Sequence, residues 1–160
     1  MSPRHRQYLF LEQGIGSGIF NLLLNAAIAW VIFRGAATVP LWGEQSIGGD
    51  TIITAFMLPF LTTLIASRVV RRHVRKGSVP AFAWNGSPLA GWLPSGLTLR
   101  GALLGVIGVV VAGIPTMHVL GRLGVAEMSF GGFIAFKALF AAVLAMIVTP
   151  LIARAALADA

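Results

Sequence analysis

The sequence predicts an all-α membrane protein: four transmembrane helices in one bundle, forming a single integral-membrane domain over residues 1–160. Three observations carry that reading. Of the 160 residues, 57% are hydrophobic and 11% charged, whereas a soluble domain carries roughly 25% charged residues. The mean hydropathy is +0.86, so a water-soluble fold of this size could not hide the apolar surface. Four apolar runs, at about residues 14–33, 51–67, 99–121 and 130–153, suit the ~20 helical residues that cross ~30 Å of hydrocarbon. The runs lack the period-two alternation of a membrane barrel. Lipid offers backbone groups no partners, so the runs are expected to be helices.

The first run follows "MSPRHRQYLFLEQ". Basic residues ahead of an apolar stretch resemble a signal peptide, but Glu12 and Gln13 interrupt it and a spanning length follows. An uncleaved first helix is expected. Within it Gly14 and Gly18 form a G-x-x-x-G stripe, and small residues let helix backbones approach where lipid supplies no hydrophobic drive. Asn21 and Asn25 share that stripe. They are expected to face a neighbouring helix, either bonding across to it or lining a small polar cavity.

The second run holds Thr51, Thr54, Thr62, Thr63 and Pro59. Pro59 has no N–H to give, so it leaves the carbonyl of Ala55 without its helical partner. The result is either a simple kink or an opened carbonyl facing a substrate or water path. Pro115-Thr116 repeats the chemistry in the third run. After the second run comes "RVVRRHVRK" with Arg68, Arg71, Arg72, Arg75 and Lys76. These residues mark the cytoplasmic side and are candidate contacts for anionic lipid headgroups. Arg4 and Arg6 precede span one, Arg100 opens span three and Arg154 closes span four. Both termini and the loop 68–98 are therefore expected in the cytoplasm. Residues 77–96, with Trp84 and Trp92, are uncharged and rich in turn residues. They are expected to form an irregular loop on the interface or a re-entrant one.

The third run repeats the first. Laying residue 14 over 101 places Gly14, Gly18, Asn21 and Asn25 over Gly101, Gly105, Gly108 and Ala112. Gly48-Gly49 lies over Gly131-Gly132 ahead of spans two and four. Each half then reads helix, outer loop, helix, a parallel repeat about an axis along the membrane normal. Glu12 and Arg100 fall at near-equivalent places and are expected to pair. The fourth run contains Lys137, a cation well inside a span. Its stem either snorkels to the outer interface or its ammonium meets an anion: Asp50, Glu127 or a substrate. His118 lies near the same outer level.

The candidate polar site is thus Asn21, Asn25, Thr62, Lys137, His118 and Asp50. The candidate packing glycines are Gly14, Gly18, Gly101, Gly105 and Gly108. No catalytic motif is present. Cysteine is absent, which excludes disulfides and thiol chemistry. Three scattered histidines predict no metal site, and no cofactor is expected. The net charge of +7 reads as membrane topology, with no nucleic-acid partner. Arginine far outnumbers lysine, as in GC-rich bacteria, which points to a bacterial inner membrane. The leading expectation is a transporter, channel or permease-like subunit, homo-oligomeric or within a larger membrane complex. The alternatives are a non-catalytic scaffold or accessory subunit and a lipid-modifying membrane enzyme.

Overall fold

The computed structural model describes residues 8–77, 94 and 96–158. A π-helical stretch, Tyr8–Gly16, leads into α1 (Ser17–Phe33). Then follow β1 (Thr38–Pro40), α2 (Ile47–Arg75), α3 (Leu97–Gly108), a π-helical stretch Val109–Gly113, α4 (Ile114–Arg122), β2 (Glu127–Ser129) and α5 (Phe130–Ala158). Four helical segments are long and apolar enough to cross a membrane: Gln13–Phe33, Ile47–Arg75, Leu97–Arg122 and Phe130–Leu157. They expose large apolar side chains along their length, among them Ile19, Leu23, Val110, Val111 and Ile147. Such a surface suits hydrocarbon rather than water.

α2 and α5 outrun their expected spans, α2 for local reasons. α2 begins at Ile47 because Ser46, in extended backbone, accepts a hydrogen bond from the Gly49 amide at 3.1 Å and caps the helix. It runs on to Arg75, since arginine favours helix and a basic last turn complements the negative end of the helix dipole. The loop expected over 68–98 is correspondingly shorter, as α3 starts at Leu97. The expectations for the interfacial loop with Trp84 and Trp92 fall largely outside the described residues, as do those for Arg4, Arg6 and the side chains of Glu12 and Arg71. The third span is not one regular helix. Its π-helical turns stand just ahead of Pro115, where a missing N–H re-routes the backbone bonds.

One element was absent from the all-α expectation. The two outer loops meet as a short antiparallel ribbon pairing Thr38 with Ser129, Val39 with Met128 and Pro40 with Glu127. The Leu41 amide to the Ala126 carbonyl (2.8 Å) and the Phe130 amide to the Ala37 carbonyl (3.1 Å) extend it. The ribbon gives both loops' backbone groups partners at the edge of the apolar zone.

The helices stand in an open row. The first span packs on α5, α5 on α2, and α2 on the third span. Between α2 and α5 the core has two clusters, Ala55, Leu58, Ala141, Leu144 and Ala145 in the middle and Val70, Ala153, Ala156 and Leu157 at the basic end. A third cluster under the ribbon joins Ala29, Phe33, Val39, Ile47, Met117 and Phe133.

These contacts have two-fold form. The shift that lays Ser46 over Ser129 also lays Leu58 over Ala141 and Val70 over Ala153, and each of those pairs shares a core cluster, as positions beside a two-fold axis must. The same shift lays Gly18 over Gly101. It also matches their contacts: Gly18 faces Met146, and Gly101 faces Thr63 and Phe60. This shift differs by one helical turn from the one that lays residue 14 over 101. Glycines recur four residues apart in both runs, so spacing alone could not separate the two registers.

Gly18, Gly101, Gly105 and Gly108 each face a neighbouring helix. Gly14, Gly18, Gly101, Gly105 and Gly108 are buried. A methyl group on Gly105 would come within 2.9 Å of the Phe56 carbonyl oxygen, and one on Gly108 would overlap the carbonyl oxygen of Ala55.

Candidate functional site

Because α1 and α2 each pack on α5 with scarcely any contact between them, a cleft of about 640 Å³ separates them. Its size falls within the range of small-molecule sites. Polar positions run down its floor. On the first span these are Gln13, Ser17, Asn21 and Asn25, spaced by four and so on one face. α2 adds Ser46, Asp50, Thr54 and Thr62, and α5 adds Lys137 and Thr149. Apolar stripes of the same spacing form the rims: Phe20, Leu24 and Ile28 on α1, and Ile53, Met57, Leu61 and Ile65 on α2. At the ribbon end Gln45 borders the mouth with a left-handed backbone, φ 45°.

Lys137 settles between the two expectations for it. Its ammonium donates to Asp50 Oδ1 and does not snorkel. The side chains are 4% and 12% exposed, so Lys137 is buried and Asp50 largely so. Asp50 is in the first turn of α2, near the helix end that favours negative charge. Its second oxygen, Oδ2, is buried and receives no donor from the described residues. Glu127 is occupied elsewhere, accepting from Thr38 Oγ1 at 3.0 Å on the exposed ribbon.

The two asparagines reach the cleft but bridge no helices. Asn21 Nδ2 donates to the Ser17 carbonyl at 2.9 Å, and Asn25 Nδ2 to the Asn21 carbonyl at 3.0 Å. Each amide bonds back along its own helix. The contact that does cross to α5 comes from Ser17, whose single hydroxyl proton is shared between the Gly14 carbonyl of its own helix at 3.1 Å and the Ala145 carbonyl of α5 at 3.3 Å. Sequence reasoning missed Ser17, though its place four residues before Asn21 was a signal. It also missed Thr149, whose buried Oγ1 has no partner. A helical threonine commonly bonds the carbonyl four residues back, and here that carbonyl, Ala145, is one of the two that Ser17 shares.

Thr62 lines the cleft, while Thr63 bonds back to the Pro59 carbonyl at 2.7 Å. The carbonyl that Pro59 frees does not open on a path. Ala55 lies in the α2–α5 core, and its oxygen is covered by Gly108. His118 is away from the cleft, exposed beside Trp42 and Arg122 in a shallow depression between α2 and α4. Arg68, Arg72, Arg75 and Lys76 are exposed at the far end of α2, and Arg100 is buried, donating through Nε to the Pro94 carbonyl at 2.9 Å. Among the described residues no three histidines and carboxylates gather as a metal site requires. No known protein family, curated protein or solved structure matches the chain.

Proposed function

We propose that this protein is a non-catalytic, permease-like transporter of the bacterial inner membrane that takes its substrate into the cleft between α1 and α2. Its basic ends lie in the cytoplasm by the positive-inside rule, and its two halves are a tandem repeat of one two-helix unit. The observation that carries the reading is the buried Asp50–Lys137 pair opening on that cleft. Ionised groups inside a span are costly and mark substrate or ion paths. The pair joins α2 to α5, which pack on each other, and both residues also line the gap. The row also leaves the first and third spans packed on one side each, which is compatible with further copies beside them.

The test uses the absence of native cysteine. Asn25→Cys and Thr54→Cys are expected to react with a small hydrophilic thiol reagent in membranes, and the lipid-facing Leu23→Cys is not. If all three react equally slowly, the cleft is not a solute path and the reading fails.

A further inference from the structure

α2 is longer than a membrane is thick. It has 29 residues, which extend about 43 Å at about 1.5 Å each, against ~30 Å of hydrocarbon. Counted from Ile47, beside the ribbon, the roughly twenty residues that cross hydrocarbon end near Ala66. Arg68 then stands where the headgroup layer begins, and Arg72 one turn further out. Arg75 and Lys76 follow at its outer edge.

These four cations share one face. From Arg68 the steps are four, seven and eight residues, which keep within about a third of the helix circumference. All four are exposed. On the same face, one to two turns back into the span, Leu61 and Ile65 are exposed apolar residues. The positive-inside rule accounts for cations at this end of α2, but not for their gathering on one side. The helix dipole accounts for little of the charge, since a helix end presents only about half an elementary charge. Acids do not answer the rest: the described carboxylates, Glu44, Asp50 and Glu127, stand at the ribbon end.

Residues four apart on a helix have Cβ atoms about 5–6 Å from one another, so Arg68 and Arg72 can grip one phosphate between them. Each guanidinium offers a planar fork that matches two phosphate oxygens. Such contacts are stronger in the headgroup layer than in bulk water, because the dielectric is lower there. The apolar residues directly above the arginines add the second half of the match, which a free phosphate cannot use and a lipid can.

We propose that this face of α2 binds an anionic phospholipid of the leaflet at the basic end, its phosphate held between Arg68 and Arg72 and its acyl chains beside the apolar residues above them. The surface lies beyond the cleft and holds whether or not the cleft carries a solute.

The experiment places the full chain in phosphatidylcholine bilayers with a trace of chain-spin-labelled phosphatidylglycerol or phosphatidylcholine. Electron paramagnetic resonance gives the fraction of each probe immobilised on the protein. The native chain is expected to prefer phosphatidylglycerol by about fivefold at low ionic strength. Arg68→Gln/Arg72→Gln should at least halve that preference and leave phosphatidylcholine immobilised as before, which shows the bundle intact. Arg34→Gln/Arg122→Gln removes as much charge from exposed positions at the ribbon end and should leave the preference unchanged. Millimolar glycerol phosphate should not release the phosphatidylglycerol probe. Equal affinity of the native chain for the two probes overturns the proposal, and that comparison decides even if a variant fails to assemble. Equal losses in the two double variants overturn it in favour of net charge alone. Release by glycerol phosphate overturns the lipid in favour of a soluble phosphate.

Discussion

Gly108 lies against the carbonyl oxygen of Ala55, the group that Pro59 deprives of its helical donor. A glycine Cα–H can approach a carbonyl as a weak donor, and no side chain stands between the two backbones. The proline break in α2 and the glycine stripe of the third span are therefore one packing device.

Gly108→Ala should accordingly be the most damaging of the small glycine substitutions. The added methyl meets backbone, which has little room to move, so a loss of about 2 kcal/mol or more is expected from overpacking. Gly18→Ala meets the Met146 side chain instead and should cost less, since methionine re-packs. Gly121→Ala, with nothing within 4 Å of the new methyl, should be neutral or stabilise by about 0.5 kcal/mol through helix propensity. Unfolding in mixed micelles gives the ranking. Equal melting of Gly108→Ala and Gly121→Ala would show that the two backbones are not in contact.

Lys137→Met should destabilise by about 3 kcal/mol, because it strands the Asp50 carboxylate in a buried place. Asp50→Leu alone should do similar harm by stranding the ammonium. Asp50→Leu/Lys137→Leu should recover most of the loss, since apolar replacement of a whole buried pair is commonly neutral. A double-mutant cycle in micelles measures the coupling. Additive losses would mean that the two charges do not meet.

Asn25→Leu should leave stability within about 0.5 kcal/mol of the native protein. The amide bonds its own helix, so no interhelical bond is lost. Ser17→Ala removes the bond to Ala145 and should cost about 0.6 kcal/mol, the usual worth of such a bond in a membrane. The order matters here: if Asn25→Leu proves the costlier, the amide does hold helices together.

Reporter fusions after Lys76 and at the C-terminus should read cytoplasmic, given the arginines at that end of α2 and α5. A periplasmic signal at either point would reverse the orientation.

The spans were legible because their length and apolarity answer to bilayer thickness, a one-dimensional property that a sequence carries openly. Lys137 stood out for the same reason, as a charge where charge is costly. Its partner Asp50 was one of three candidates, since choosing among them needs the α2–α5 contact. The ribbon was hidden because Thr38–Pro40 and Glu127–Ser129 are three residues each, too short for alternation to register, and their pairing joins distant loops. The asparagines were legible as facing inward but not as bonding backward. Whether an amide turns to its own carbonyl or to a neighbour depends on how far away the neighbour lies, and here α1 and α2 stand apart.

The proposed two-fold repeat also sets what the cleft can be. Under the shift that relates the halves, the position matching Asp50 holds Phe133 and the position matching Lys137 holds Thr54. The acid and the base therefore occur once, on opposite sides of the axis. Two identical subunits related by that axis would display each group twice or not at all. Joining the halves in one chain frees each side to change alone, so a symmetric scaffold can carry a single, one-handed site.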